Sequence, residues 1–331
     1  MSPKFILITL VFIPKIYCKY HAPTNYSYNE LSDHTMVTEN GVFPYVVAIL
    51  KKSSYISAGA LIDDSWVLTA ADALYLLRES IREIRVRLGS INFKKGGTLL
   101  PIKFFEIHPY FEDTKPEYDL ALVKLPRPVQ LNNNLNPIRL QRKIRPVTAS
   151  HFIVTAWPSP AEATSRHNPQ RLIDHDRIFF PKLKLNREKN SEELQQLRSM
   201  EVINRRRILS VAHLHPSDSE RCTEEMEGLD INNTETLMCL DPAIGTEPCT
   251  RDIGAPVVLN NILWAVISSY KPEDCELDSG PSFATKVAAN DISSWIHATV
   301  RGHRWSHQQN RIFANDDEDY DENDLDDDDS S

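Results

Sequence analysis

What most narrows the folds open to this chain is a series of short apolar and β-branched runs at residues 45–50, 66–69, 84–88, 120–125, 152–155, 255–259 and 263–268, each closed by turn residues. Runs of this length suit strands and are too short for helices of three turns. They point to an all-β protein, and roughly 250 residues can run as one β unit. One stretch breaks the pattern: at 290–300, Ile292, Trp295, Ile296 and Thr299 recur at helical spacing and predict a single helix that ends the globular part.

The N-terminal residues Met1 to Lys4 supply a positive charge, and 5–13 form an apolar run. Nine apolar residues cannot span a bilayer. A cleaved secretory signal over 1–18 is the expectation, with 19–35 as an N-terminal segment; a buried N-terminal strand is the alternative. Five cysteines suit an oxidising compartment. No later window is apolar enough to anchor the chain, so a secreted, extracellular protein without a membrane anchor is expected, and nucleic acid is excluded as a partner. In that setting Asn25-Tyr26-Ser27 and Asn232-Asn233-Thr234 are glycosylation sequons, marking Asn25 and Asn232.

The stretch Cys249-Thr250-Arg251-Asp252-Ile253-Gly254-Ala255-Pro256 resembles the nucleophile loop of the chymotrypsin-like (trypsin-like, S1) serine proteases, with Asp252, Gly254 and Pro256 matching. Residues 61–73, ending Thr69-Ala70-Ala71-Asp72-Ala73, resemble the strand and turn that carry the family's general base. Tyr118-Asp119-Leu120-Ala121-Leu122-Val123-Lys124-Leu125 resembles the segment carrying its orienting carboxylate. The order base, carboxylate, nucleophile along the chain is that of the family. Smaller matches lie at 41–45, 154–157, 281–287 and 291–296. The resemblance covers roughly 36–300 and implies two packed six-stranded antiparallel β-barrels with a C-terminal helix. The domains expected from it are a trypsin-like domain over 36–300 with an insertion at about 158–207, followed by a tail at 301–331.

Carried over position by position, the resemblance puts Asp72 at the base, Asp119 at the carboxylate and Ile253 at the nucleophile. A branched hydrocarbon has no lone pair with which to attack a carbonyl. Arg251 stands where a glycine N–H would form half of the oxyanion hole. The triad is therefore degenerate at two of three positions, and the expectation is of a catalytically inactive homologue that is not an enzyme. Glu247, Ser268 and Ser282 fall at substrate-pocket positions, and a carboxylate at the pocket base could still hold a basic side chain. No Ile-Val-Gly-Gly follows a basic residue near 36–41, so activation by a new N-terminus is not expected, and Asp252 would have another partner. The resemblance also implies the bridges Cys222–Cys239 and Cys249–Cys275, with Cys18 left at the end of the signal. Ala58 with Ala73, and Phe152 with Leu259, occupy two pairs of positions that the family joins by disulfides. Loss of both partners with apolar refilling would keep a packed interior. Neither a cofactor nor a metal is expected, because Asp72 and Asp119 alone are too few ligands.

Between Trp157 and Cys222 the chain is longer than such a domain needs. Residues 166–189 and Arg205-Arg206-Arg207 are basic, while 192–207 hold good helix formers. An exposed insertion is expected, its charge serving either as a solvated face or as a contact for an anionic partner. Glycine is scarce, at 10 of 331 residues. Residues 316–329 contain eleven carboxylates and no basic residue, against a net charge of −9 for the whole chain, so the remainder carries about +2. Such a tail cannot bury a core. It is a solubilising tail, a calcium-binding or basic-partner-binding arm, or a cover for the insertion, and Tyr320 among acids suits sulfation.

The functional expectation is a secreted, non-catalytic homologue acting through protein binding, as cofactor, scaffold or decoy, with an active protease or an inhibitor as partner. Two alternatives remain: a hydrolase with displaced catalytic residues, and a structural or storage-like secreted glycoprotein. Oligomeric state is not written in the sequence.

Overall fold

Ile84, Val86 and Leu88 are buried while Arg85 and Arg87 between them are part-exposed, the alternation of a strand with one face on a core. This strand belongs to the first of two sheets in a computed structural model that describes residues 34–113, 115–144, 151–157, 207–231, 234–242, 253–268 and 281–302. The strands, in chain order, are β1 (His34–Met36), β2 (Val46–Lys51), β3 (Ser54–Asp63), β4 (Trp66–Thr69), β5 (Ile84–Leu88), β6 (Thr98–Pro101), β7 (Phe104–Ile107), β8 (Ala121–Lys124), β9 (Arg139–Leu140) and β10 (Phe152–Ala156). They continue with β11 (Ser210–Pro216), β12 (Leu237–Pro242), β13 (Pro256–Leu259), β14 (Ile262–Ile267) and β15 (Ser282–Lys286). Helices are α1 (Asp72–Tyr75), α2 (Ser219–Gly228) and α3 (Asn290–Val300).

The first sheet runs β6-β5-β2-β3-β4-β8-β7. Its two edge strands, β6 and β7, are separated in sequence only by Ile102 and Lys103, so one bent strand serves both edges and rolls the sheet into a barrel-like form of six. The second sheet runs β11-β10-β13-β14-β15-β12, and β12 pairs back onto β11, which closes a ring of six. β1 adds to the half of the β11 edge that β12 leaves open, at Ser210 to Ala212, and β9 lies parallel to β14. The chymotrypsin-like arrangement of two β-barrels with a C-terminal helix is therefore the observed fold.

Each barrel has its own apolar filling. Val47, Ile49, Leu61, Ile84 and Val123 pack in the first; Phe152, Val154, Leu240, Val257 and Ile267 pack in the second. A third cluster joins them, with Trp66, Leu120 and Leu122 from the first barrel touching a group that includes Trp157, Val258, Val266 and Trp295. Ile292, Trp295 and Ile296 place the apolar face of α3 in that same cluster, as the helical spacing predicts.

Two expectations are corrected. The C-terminal helix is not the only one, because α2 also forms, capped by Asp218, whose carboxylate accepts the Glu220 N–H at 2.9 Å. Its buried side is small, with Met226 resting on Leu237, Cys239 and Phe283, and the Cys222–Cys239 disulfide ties it to β12. Refilling of lost bridge positions is also uneven. Ala58 is fully buried, Phe152 is buried edge-to-face against Trp264 at 5.7 Å, and Leu259 packs beside that cluster. Ala73, by contrast, is part-exposed on α1 and fills no interior. β3 lacks a continuous apolar run because Gly59 lies within it, where a Cβ would come within 2.9 Å of Val67 Cγ1 and 3.0 Å of the Leu68 carbonyl oxygen. The inserted segment at 158–206 and the tail at 303–331 lie outside the described residues.

Candidate functional site

Tyr118 has φ of 55°, a left-handed conformation unusual for a bulky residue. Its ring is held by stacking on His108 at 4.8 Å and by an edge contact with Tyr110 at 5.4 Å. The twist delivers the next residue, Asp119, to the junction of the barrels, where it is 1% exposed. One carboxylate oxygen accepts the backbone N–H of Asp72 at 2.8 Å; the other accepts the Ser268 hydroxyl at 2.6 Å. Asp72 begins α1 in the first barrel and Ser268 follows β14 in the second, so one buried carboxylate fastens both.

Asp72 and Asp119 are thus brought together, through the main chain of Asp72. Ile253 and Gly254 are turn residues separated from β13 only by Ala255. The Ile253 carbonyl accepts the Ala58 N–H at 2.9 Å, and the Gly254 N–H donates to the Ile267 carbonyl at 2.9 Å. Gly254 has φ of +75°, and a Cβ there would come within 2.3 Å of the Ala58 carbonyl oxygen and 2.4 Å of the Thr69 hydroxyl. Only glycine lets the two barrels approach this closely. Thr69 and Ser57, both fully buried, add hydroxyl donors to the same Ala58 carbonyl at 2.6 and 2.9 Å. Ile253, which the resemblance sets at the nucleophile position, is part-buried and carries a hydrocarbon side chain.

Ser268 and Ser282, which the resemblance sets at pocket positions, are brought near each other by the pairing of β14 with β15. The Ser268 N–H donates to the carbonyl of Phe283, the residue after Ser282, at 3.0 Å, and both serines are buried. The third, Glu247, lies outside the described residues, as do Arg251, Asp252, the Cys249–Cys275 pair, Asn25 and Asn232. Of the disulfides, Cys222–Cys239 is formed, with Cα atoms 5.7 Å apart.

His108 was not singled out by sequence, and nothing in its local pattern marks it. It is 1% exposed, wedged between Tyr118 and the edge of Trp295 at 4.9 Å. Burial pushes its pKa down to about 3, against the opposing pull of a hydrogen bond to the Asp291 backbone. The imidazole supporting Tyr118, and through it the aim of Asp119, is therefore neutral.

Acyl transfer of the family type uses a hydroxyl, a base and an oxyanion cradle within hydrogen-bond reach. Here the Asp119 carboxylate and its two anchors are in place, while Asp72 and Ile253, which the resemblance sets at the base and nucleophile positions, bring a carboxyl and a hydrocarbon side chain.

The trypsin family model matches residues 34–175. Hypodermin-A of Hypoderma lineatum is 28% identical over 227 residues, covering 68% of this chain and 72% of that protein. Granzyme M of Rattus norvegicus is 28% identical over 271 residues, covering 80% and 86%, and a trypsin of Sarcophaga bullata is 25% identical over 259 residues, covering 78% and 84%. Among solved structures, neuropsin, a serine protease of mouse brain, superposes with a TM-score of 0.57 at 20% identity, covering 80% of this chain and 98% of that one. These similarities overturn the expectation that the chain is not an enzyme: the relatives carry the names of proteases, trypsin among them, and point to a protease family rather than to any class of non-enzymes. The substitutions at Asp72 and Ile253 stand as facts about two side chains. In sequence, over residues 34–175 for the family model, and in its two-barrel fold, the chain is similar to the trypsin-like S1 serine proteases.

Proposed function

We propose that this trypsin-like homologue works outside the cell by recognising another protein, as cofactor, scaffold or decoy, and that an active protease or a protease inhibitor is the partner. The observation that carries this reading is the frame around Asp119. Its carboxylate is fixed by the Asp72 N–H and the Ser268 hydroxyl, and the turn at Gly254 is kept against Ala58 and Thr69, while Ile253 in that turn carries a part-buried apolar side chain. A rigid frame around an apolar centre suits recognition of a protein surface, because little ordering entropy is lost on binding.

Export rests on the N-terminal charge and apolar run and on the cysteines, one pair of which is bridged. Among the described residues, no helix is long and apolar enough to cross a membrane. The domain limits proposed are a signal over 1–18, an N-terminal segment over 19–35, the trypsin-like domain over 36–300 and an acidic tail over 301–331. Asn25 and Asn232 are proposed as glycosylated and Cys249–Cys275 as a second bridge.

The test is titration of the purified secreted chain against a panel of trypsin-like proteases and their protein inhibitors, with peptide turnover followed in parallel. Saturable association that Ile253→Glu weakens about tenfold or more supports recognition at this frame, since a charge buried at an interface without a partner is costly. Peptide turnover that survives purification and vanishes in Asp119→Ala would replace it with hydrolysis by the trypsin-like frame. Failure to bind any member of the panel removes the proposed partner class.

A further inference from the structure

Three histidines lie together on the outer face of the second barrel, well apart in sequence from the residues around Asp119. His213 and His215 are two residues apart on β11, so their side chains leave the same face of the strand, about 7 Å apart at the backbone. His151 immediately precedes β10, the neighbouring strand, where Phe152 is opposite Leu214 and Ile153 opposite His213. That register sets His151 beside His215. Its ring centroid is 5.1 Å from that of His213 and 6.3 Å from that of His215. On the other side of β11, Asp241 of β12 is directly across from His215 and lies 3.7 Å from the Arg221 guanidinium.

We propose that His151, His213 and His215 form a binding site for a borderline divalent transition cation of the Zn2+ class. Two imidazoles on one Zn2+, each with a metal–nitrogen bond of about 2.0–2.1 Å, place their ring centroids about 5 Å apart at a tetrahedral angle and about 6 Å apart at a wide one. The 5.1 Å pair fits the tetrahedral angle, and the 6.3 Å pair has to draw closer. Among the described residues no group of three or more His, Cys, Asp or Glu is so placed that it could hold a metal ion as it stands. The cation completes the set by rotation of the three rings about their side-chain bonds, with no movement of the strands. His213 and His215 are part-exposed and His151 is exposed, so a cation can approach the cluster from solvent. Imidazole ligands select Zn2+, Ni2+ or Cu2+ over Ca2+ and Mg2+, which prefer oxygen. Asp241 is placed to steady the site or to supply an oxygen once Arg221 is displaced. The site bridges β10 and β11, so occupancy clamps two adjacent strands of the closed ring.

Calorimetric titration of the full purified chain with ZnCl2, in the presence of excess CaCl2 to saturate oxygen ligands such as the acidic tail, tests this. One Zn2+ per chain is expected to remain. His213→Asn, His215→Asn and His151→Asn are each expected to weaken it about tenfold or more, since removing even the partner of a metal ligand costs that much. His303→Gln is expected to leave it unchanged. A second readout needs no variant: in the wild-type chain the imidazole resonances of His151, His213 and His215 should move together as Zn2+ is added. No saturable Zn2+ uptake under excess Ca2+, unmoved resonances at saturation, or undiminished uptake by the triple His→Asn variant would each overturn the proposal.

Discussion

Single residues decide how the two barrels meet. Gly254 combines a left-handed backbone with an absent Cβ where the Ala58 carbonyl and Thr69 hydroxyl crowd in. Gly254→Ala is expected to destabilise the fold by about 2 kcal/mol or more, from backbone strain and overlap together, and equilibrium unfolding in urea measures it. His108 sets a pH dependence. The folded chain keeps it neutral down to about 3, whereas the unfolded chain takes up a proton near the ordinary value of 6.5. The unfolded state therefore binds more protons between those values, and stability falls on acidification through that window by up to about 1.4 kcal/mol per pH unit. His108→Phe keeps a ring against Tyr118 and Trp295 and removes the titration. The difference between the two unfolding free energies, measured from pH 7 to pH 4, should narrow steadily in the variant's favour. Of these residues, Asp72, Asp119, Ile253, Ser268 and Ser282 are found from the sequence by resemblance, because flanking motifs carry them. His108, Ser57 and Thr69 are not, because their roles come from neighbours remote in the chain.

At the scale of elements, the legible strands are those that read as continuous or alternating apolar runs. β4 and β5 coincide with their expected limits at 66–69 and 84–88, since every buried side chain in them except Thr69 is apolar. β3 and β11 do not read this way: β3 has Ser57 and Gly59 pointing inward where another backbone or a hydroxyl comes close, and β11 carries His213 and His215 outward. α2 lies outside the apolar pattern for a different reason. It buries only Met226 within the helix and is held by its Asp218 cap and by the Cys222–Cys239 bridge. Reduction of that bridge, which closes a loop of 17 residues, is expected to lower stability by about 3 kcal/mol. Hydrogen exchange should show the loss of protection first in α2 and the adjoining end of β12.

For the whole molecule, the shared cluster makes the barrels one thermodynamic unit. Leu122 of the first barrel is fully buried in the same cluster as Val266 and Trp295. Leu122→Ala is expected to cost about 2–5 kcal/mol and to shift a single calorimetric transition to lower temperature. Separate melting of the two barrels would show that the junction contributes little cooperativity.

By itself the sequence determined the all-β class, the terminal helix and the chemical fact that Ile253 carries no hydroxyl. These follow from local periodicity and side-chain identity, which need no third dimension. Only the tertiary structure decided that both oxygens of Asp119 are engaged by groups from opposite barrels, that Gly254 is a point of contact, and that His151 stands beside His213 and His215. Those relations depend on strand register and barrel closure, which bring together residues separated by tens to well over a hundred positions, and no local pattern encodes such distances.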